Sequence, residues 1–457
     1  MVLAMASFGG FLVTFMTSSV NVALPLIEED FHMSAVTLSW VSLSYILVGG
    51  ATLLPLGRIS DLYGRMRFFI YGVIIFTVFS FASAVAPSAA VLIGFRAIQG
   101  LSLAIGMVTS TPLVILAYPP ESRGKALGLN IASIYLGLTL GPVLGGLIIH
   151  NLGWRSLFLV VGVLGTVNVA LRVWKLRGVD WREPKRARFD VEGSVISAAS
   201  LTALLLGFSL LPDVIGAILI AIGIIGLAGF LWWEGRPADP LLRVDLLRRN
   251  RVFAFSNVAA FINYSATFAL VFLMSLYLQY NRGLNPQTAG LVLVTGSFVQ
   301  AAFSPVAGRL ADRVPARFVA TGGMAVCVVG LAALSFVGEA TSYWYLITML
   351  CVLGLGFAFF AVPITHTVMG SVEKREVGIA SATLGAMRLL GQNLSMGVAT
   401  LVLALEVGRQ AIQPADYPQL LSSVRLSFLI FAVFCVFGVT ASMVGPRRGQ
   451  GQAQLQS

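Results

Sequence analysis

Fourteen apolar runs, each long enough to cross a bilayer, constrain this chain more than any other feature. A helix needs about 20 apolar residues to span the hydrocarbon core. Such runs fall at roughly 3–27, 35–56, 68–86, 89–117, 126–149, 156–174, 194–211, 214–233, 252–278, 287–307, 317–337, 342–369, 378–405 and 422–443. In lipid every backbone polar group must be satisfied within the protein, and runs of this length do so as helices. The sequence therefore predicts an all-α integral membrane protein with fourteen transmembrane helices. Of its 457 residues 57% are hydrophobic and only 11% charged, where soluble chains carry about a quarter charged. The net charge of +11 does not form a basic patch beside aromatics, so no nucleic-acid partner is expected.

The basic residues lie between the runs, and their side alternates. With the N-terminus placed in the cytoplasm, the cytoplasmic segments hold 24 Lys and Arg residues, and the outer loops hold only Arg155, Arg282 and Arg409. The positive-inside rule then puts both termini in the cytoplasm of a multi-pass protein of the cell membrane. The first basic residue is Arg58, so the opening run lacks the positive flank of a cleaved signal peptide. The largest loops, about 175–193 and 234–251, are basic and too short for a soluble domain. No G-x-x-x-x-G-K-[ST] sequence is present to cradle a nucleotide phosphate. Cys327, Cys351 and Cys435 all lie inside apolar runs and read as small hydrophobes. His32, His150 and His366 have no metal-site spacing, and no cofactor is expected.

The chain repeats itself. Gly57-Arg58-Ile59-Ser60-Asp61-Leu62-Tyr63-Gly64-Arg65-Met66-Arg67 follows the second run. Gly308-Arg309-Leu310-Ala311-Asp312-Arg313 follows the tenth, so Gly, Arg and Asp recur at an offset of 251 residues. Runs 1–6 and 9–14 are then two repeats, with runs 7–8 an inserted hairpin, as in transporters built from halves. The expected divisions are 1–175, 176–250 for the basic loops and hairpin, 251–445, and a tail at 446–457.

Those residues also carry a resemblance. G-x-x-x-D-x-x-G-R-x-R between spans 2 and 3 resembles the cytoplasmic loop motif of the major facilitator superfamily. Arg96-Ala97-Ile98-Gln99-Gly100 resembles its R-x-x-Q-G motif in span 4. Gly137, Gly141, Pro142, Gly145 and Gly146 resemble the antiporter motif of the exporters in span 5. Asn21-Val22-Ala23-Leu24-Pro25 resembles the end of the first-span motif of the 14-spanner drug:proton antiporters. Pro240-Leu241-Leu242, Tyr277-Leu278-Gln279 and Gly283 resemble that family's middle. The resemblance implies two six-helix bundles that rock about a small-molecule site, working as an exporter, as a monomer among membrane lipids. In it, Gly57, Arg58, Asp61, Gly64 and Arg65, with Gly308, Arg309 and Asp312, form a cytoplasmic gate. Asp61 can accept charge-assisted hydrogen bonds that break as the halves move. Glycines four apart let helix backbones approach, and Pro142 can bend its helix.

One position departs from the pattern. The family's first-span motif carries an aspartate five residues before the Asn of N-V-A-L-P, and here that position is Met16. None of the nineteen acidic residues falls deep in a span. Two arginines do. Arg388 lies about 16 Å into span 13 and Arg96 about 10 Å into span 4, counting 1.5 Å per residue. Buried ionisable groups in a transporter are functional candidates, so Arg388 and Arg96 join Asn21, Gln99, Asn263 and Gln300 as substrate or coupling candidates. Arg96 reads more as a structural or gating residue. A cavity without a carboxylate favours a neutral, zwitterionic or anionic solute over a cation. An uncoupled facilitator or uptake carrier of the same fold is the alternative. An intramembrane enzyme would need paired catalytic groups at depth, and a respiratory proton pump would need buried lysines. Neither pattern is present, since all four lysines are cytoplasmic in this arrangement.

Overall fold

The computed structural model describes residues 2–175, 190–211, 213–236, 241, 244–372, 377–408 and 411–443. Fourteen helical segments are long and apolar enough to cross a membrane. The first six are α1 (Val2–Phe31), α2 (Ala35–Tyr63), α3 (Arg65–Ala84), α4 (Ala89–Ala117), α5 (Pro120–Leu152) and α6 (Trp154–Lys175). A hairpin follows, α7 (Val191–Leu210) and α8 (Val214–Trp233), and then a short helix, α9 (Val244–Arg249). The ninth span is α10 (Arg251–Thr267), α11 (Ala269–Leu276) and a π-helical turn, Tyr277–Asn281. The last five are α12 (Pro286–Arg313), α13 (Ala316–Leu334), α14 (Tyr343–Gly370), α15 (Val377–Glu406) and α16 (Tyr417–Ser442).

Local chemistry sets the helix ends. Ser34, Ser88, Asp190, Asn250 and Asn285 each accept a first-turn backbone N–H through their side chains, relieving donors that a helix start leaves unpaired. Pro120 and Pro286 open α5 and α12, where the missing N–H costs nothing. Between α2 and α3 the chain turns at Gly64 with φ 110°, and between α5 and α6 at Gly153 with φ 80°, conformations that glycine adopts without a side-chain clash.

The helices run past several ends read from hydropathy. α1 continues through Glu28, Glu29 and Asp30, although acids are unfavourable at a helix C-terminus. Partners offset that cost. The Tyr280 hydroxyl donates to Glu28 at 2.9 Å, and Arg155 forms an ion pair with Asp30. α16 starts at Tyr417 rather than near 422, with Pro418 in its first turn and a 3-10 turn, Pro414–Asp416, ahead of it.

α1 to α6 pack among themselves through α1–α5, α2–α4, α3–α4 and α3–α6. α10 to α16 do the same through α10–α15, α12–α14, α13–α14 and α13–α16. The repeat reaches into both sets: Pro112 inside α4 and Pro363 inside α14 stand at the same 251-residue offset as the loop motifs. The two bundles meet along α5–α12, α2–α15 and α1–α11. The hairpin lies outside both, with α7 against the α2–α15 seam. Phe208 packs over Gly397 of α15, where an added Cβ would stand 3.3 Å from its side chain, and Phe230 packs near Leu54 of α2.

The membrane-facing ends divide into a basic face, which carries the 57–67 and 308–317 loops, and a far face opposite it. The bundles touch most closely in the far half. On α5, Gly128, Ala132, Tyr135, Thr139, Pro142 and Gly146 share one stripe at helical spacing. Thr139, Pro142 and Gly146 are buried, Tyr135 is half-buried, and Gly128 and Ala132 are exposed. The same stripe is thus covered by α12 near the far face and uncovered toward the basic face. A cleft between the bundles opens on that side.

Candidate functional site

The cleft has a roof made of close contacts between the bundles. Pro25 has no N–H to return to Asn21 four residues earlier. The freed Asn21 carbonyl accepts from the Ser275 hydroxyl of α11 at 2.7 Å, and the next carbonyl, Val22, accepts from Gln279 at 3.1 Å. The N-V-A-L-P run therefore supplies a backbone acceptor that faces the other bundle. On the α2–α15 seam, Asn393 donates to the Ile46 carbonyl at 3.1 Å, and Thr400 donates to Ser39 at 2.8 Å. On the α5–α12 seam, a Cβ at Gly290 would stand 2.0 Å from the Pro142 carbonyl, and one at Gly146 would stand 2.6 Å from the Pro286 carbonyl. Each glycine meets a backbone carbonyl of the other helix there because it carries no side chain to hold the helices apart.

Arg388 lies five residues below Asn393 on α15, toward the basic face. It is half-buried. Its guanidinium sits 5.2 Å from the ring centroid of Tyr264 on α10, a cation–π contact. Among the described residues no carboxylate pairs with it. Tyr135 of α5 comes from the opposite bundle and lies within electrostatic reach of both Arg388 and Tyr264. A Cβ added at Gly385, nearly one turn from Arg388, would stand 3.8 Å from Met107 of α4 and 4.0 Å from Leu53 of α2. The floor of the roof thus presents one cation, two phenols and an apolar wall. A break in the ninth span lies close by. Phe268 separates α10 from α11, and the Ser395 hydroxyl of α15 accepts from the Ala269 N–H at 3.0 Å, so the interrupted backbone stays satisfied.

The other arginine has a different environment. Arg96 is 1% exposed. Its Nε donates to the Val41 carbonyl at 3.1 Å and its NH1 to Gln99 at 2.9 Å, and its guanidinium lies 4.2 Å from the Tyr45 ring. Gln99 in turn donates to Ser80 at 2.9 Å and to the Phe76 carbonyl at 3.3 Å. The R-x-x-Q pair therefore ties α2, α3 and α4 together inside one bundle. Asn21 is also spoken for, since its side chain accepts from Ser42 at 2.9 Å. Asn263 turns into its own bundle and donates to the Met324 sulfur of α13 at 3.4 Å, which takes it away from Arg388. Gln300 is half-buried on α12. Met16, where the first-span acid would stand, is fully buried.

The span-5 glycines divide by face. Gly137, Gly141 and Gly145 meet α1, where added Cβ atoms would lie 2.4 Å from the Phe11 carbonyl, 1.8 Å from the Ser18 hydroxyl and 2.5 Å from the Ser19 hydroxyl. Pro142 and Gly146 meet α12. In the loop motifs, a Cβ at Gly57 would stand 3.4 Å from Val108 of α4, and one at Gly308 would stand 3.5 Å from Val362 of α14. The two repeats thus use the glycine alike. Gly64 carries the turn. Arg58 and Arg65 are half-buried and Arg309 is exposed. The side chains of Asp61 and Asp312 lie outside the described ones.

Sequence reading named Arg388 but neither tyrosine. An aromatic residue in an apolar run carries no signal of its own. The one available clue was that Tyr135 stands seven residues before Pro142, on the same helix face.

Fourteen apolar spans in two helical bundles that meet near one end are the architecture of a membrane transporter. The sequence profile of the Major Facilitator Superfamily matches residues 6–233 and 257–455, and the chain belongs to that superfamily. It is 32% identical over 395 residues to the multidrug resistance protein Stp of Mycobacterium tuberculosis, covering 84% of this chain and 72% of that protein. It is 29% identical to the riboflavin transporter RibZ of Clostridioides difficile, covering 87% and 86%. It is 29% identical to the puromycin resistance protein pur8 of Streptomyces alboniger, covering 87% and 80%.

Proposed function

We propose that this transporter is a secondary exporter of small organic solutes that carry no net positive charge. It works by alternating access in the cell membrane, with both termini and the basic face in the cytoplasm. The rocking units are 1–175 and 251–445, with the hairpin region 176–250 between them. The observation that carries this reading is Arg388: half-buried at the floor of the roof, facing the cleft, with no carboxylate partner among the described residues. A cation held there in low dielectric repels cationic solutes and attracts anionic or strongly dipolar ones. Relatives named for multidrug and puromycin resistance support the export direction. Asp61 and Asp312 serve as cytoplasmic latches in this reading, and Gln300 is a further polar contact on the α12 side.

A second reading has specific support. Met16 replaces the first-span acid, and one relative is named a riboflavin transporter. A carrier of the same fold without proton coupling, moving a neutral or anionic solute in the uptake direction, fits both. Flux of cationic, neutral and anionic solutes in proteoliposomes, with and without a pH gradient, separates the two. Uphill export driven by the gradient supports the exporter, and gradient-independent flux supports the facilitator. Preference for lipophilic cations, unchanged in Arg388→Gln, overturns both.

A further inference from the structure

Three half-buried side chains occupy one level of the cleft. Tyr135 lies seventeen residues from the far end of α5, Arg388 eighteen from that of α15, and Tyr264 seventeen from the end of the π turn that closes its span. At 1.5 Å per residue all three sit about 25–27 Å from the far face. They come from both bundles. Arg388 and Tyr264 belong to one and Tyr135 to the other, and the three lie within electrostatic reach of one another. They stand directly under the roof, where α5 and α12 begin to part.

We infer that Tyr135, Tyr264 and Arg388 form a substrate site for a planar aromatic ring that bears an anionic oxygen, such as an aromatic carboxylate. This rests on the reading of Arg388 as a cleft residue and adds the class of molecule. The guanidinium supplies the only cation identified at this level among the described residues, and planar carboxylates suit its fork of donors. The Tyr264 ring, already turned toward Arg388, orients that fork. Two phenol rings offer stacking surfaces, and aromatic pairs gain more than their buried area alone supplies. Met107 and Leu53 close the wall with apolar surface, which accepts the ring edge and gives no carboxylate to repel the anion. Because the ring bridges the bundles, its binding favours the arrangement in which α5 and α15 are close. Differential contact of this kind lets a ligand bias a two-state equilibrium.

The test uses the purified full chain in lipid nanodiscs and equilibrium binding of four probes: 1-naphthoate, cyclohexanecarboxylate, 1-naphthalenemethanol and 1-naphthylmethylammonium. Wild type is expected to bind 1-naphthoate about tenfold tighter than the aliphatic carboxylate, from stacking on two rings. Tyr135→Leu cuts that difference to about threefold, and Tyr135→Phe keeps it. Arg388→Gln brings 1-naphthoate to the affinity of the neutral alcohol. Equal binding of the two carboxylates by wild type overturns the aromatic class but leaves the charge preference of Arg388 standing. Tightest binding of the ammonium probe overturns the charge preference as well, and binding of none of the four overturns the site. The wild-type comparison stands without any variant, so a leucine variant that fails to fold does not shelter the proposal.

Discussion

Two arginines within spans behave in opposite ways, and their neighbours decide the difference. Arg96 is enclosed by a carbonyl, an amide oxygen and a tyrosine face. Its charge is stabilised by fixed dipoles, and its network holds three helices. Arg388 has a ring beneath it and the cleft in front. Substitution should separate these roles. Gln99→Leu deprives a buried guanidinium of an acceptor, a loss of about 1–3 kcal/mol. The expected result is a lower melting temperature of the purified protein with the order of solute preference unchanged. Arg388→Gln should do the reverse, keeping the melting temperature within a few degrees while flattening the preference for anions over neutral solutes. A variant at Gln99 that alters solute order without losing stability would place that network in the transport path.

At the scale of elements, α5 shows what the sequence disclosed and what it withheld. Its place as a span, and the repeat around it, were legible because hydropathy and loop charge report directly on the bilayer. The small-residue motif was legible as a site of close approach. Its partners were not, because spacing fixes which residues share a face but not which helix covers it. Gly141 belongs to the α1 contact inside one bundle, and Gly146 to the α12 contact between bundles. For the same reason Asn263, polar and near mid-span, was read as a cleft residue, whereas its amide is engaged by Met324. Asn21 contributes to the roof through a carbonyl that a proline set free, a role that side-chain chemistry does not advertise. The division predicts distinct phenotypes. Gly141→Leu drives a side chain into Ser18 and the Phe15 carbonyl, so folded yield in the membrane should fall by several-fold along with transport. Gly290→Leu wedges α12 from α5 at the roof. Folded yield should stay near wild type, transport should fall by about tenfold or more, and a cysteine at Ser297 should become reactive from the far face. Equal loss of folded protein in both variants would mean that the roof is needed for folding as well as for gating.

For the whole molecule, the position of the hairpin poses a mechanical constraint. The hairpin bears on both sides of the α2–α15 seam, with Phe208 of α7 on Gly397 and Phe230 of α8 beside Leu54. The proposed rocking of the halves requires one of these contacts to slide. Labelling of single cysteines fixes the frame for that motion. A cysteine at Asp213 should react from outside the cell, and one at Asp180 in the basic loop only from inside, and reversal of the pair would invert the proposed orientation. The roof then supplies a lock. The Ser39 and Thr400 hydroxyls touch across the seam at 2.8 Å, so cysteines at both positions face one another in the arrangement closed at the far face. Rocking toward the opposite arrangement must separate α2 from α15 at this level. Oxidation of the Ser39→Cys/Thr400→Cys protein should therefore trap the cleft open to the basic face and abolish transport, and reduction should restore it. Each single variant should transport under both conditions. Continued transport by the cross-linked protein, with the disulfide verified by mass spectrometry, would show that the far ends of α2 and α15 stay together throughout the cycle and that the halves do not rock about the cleft.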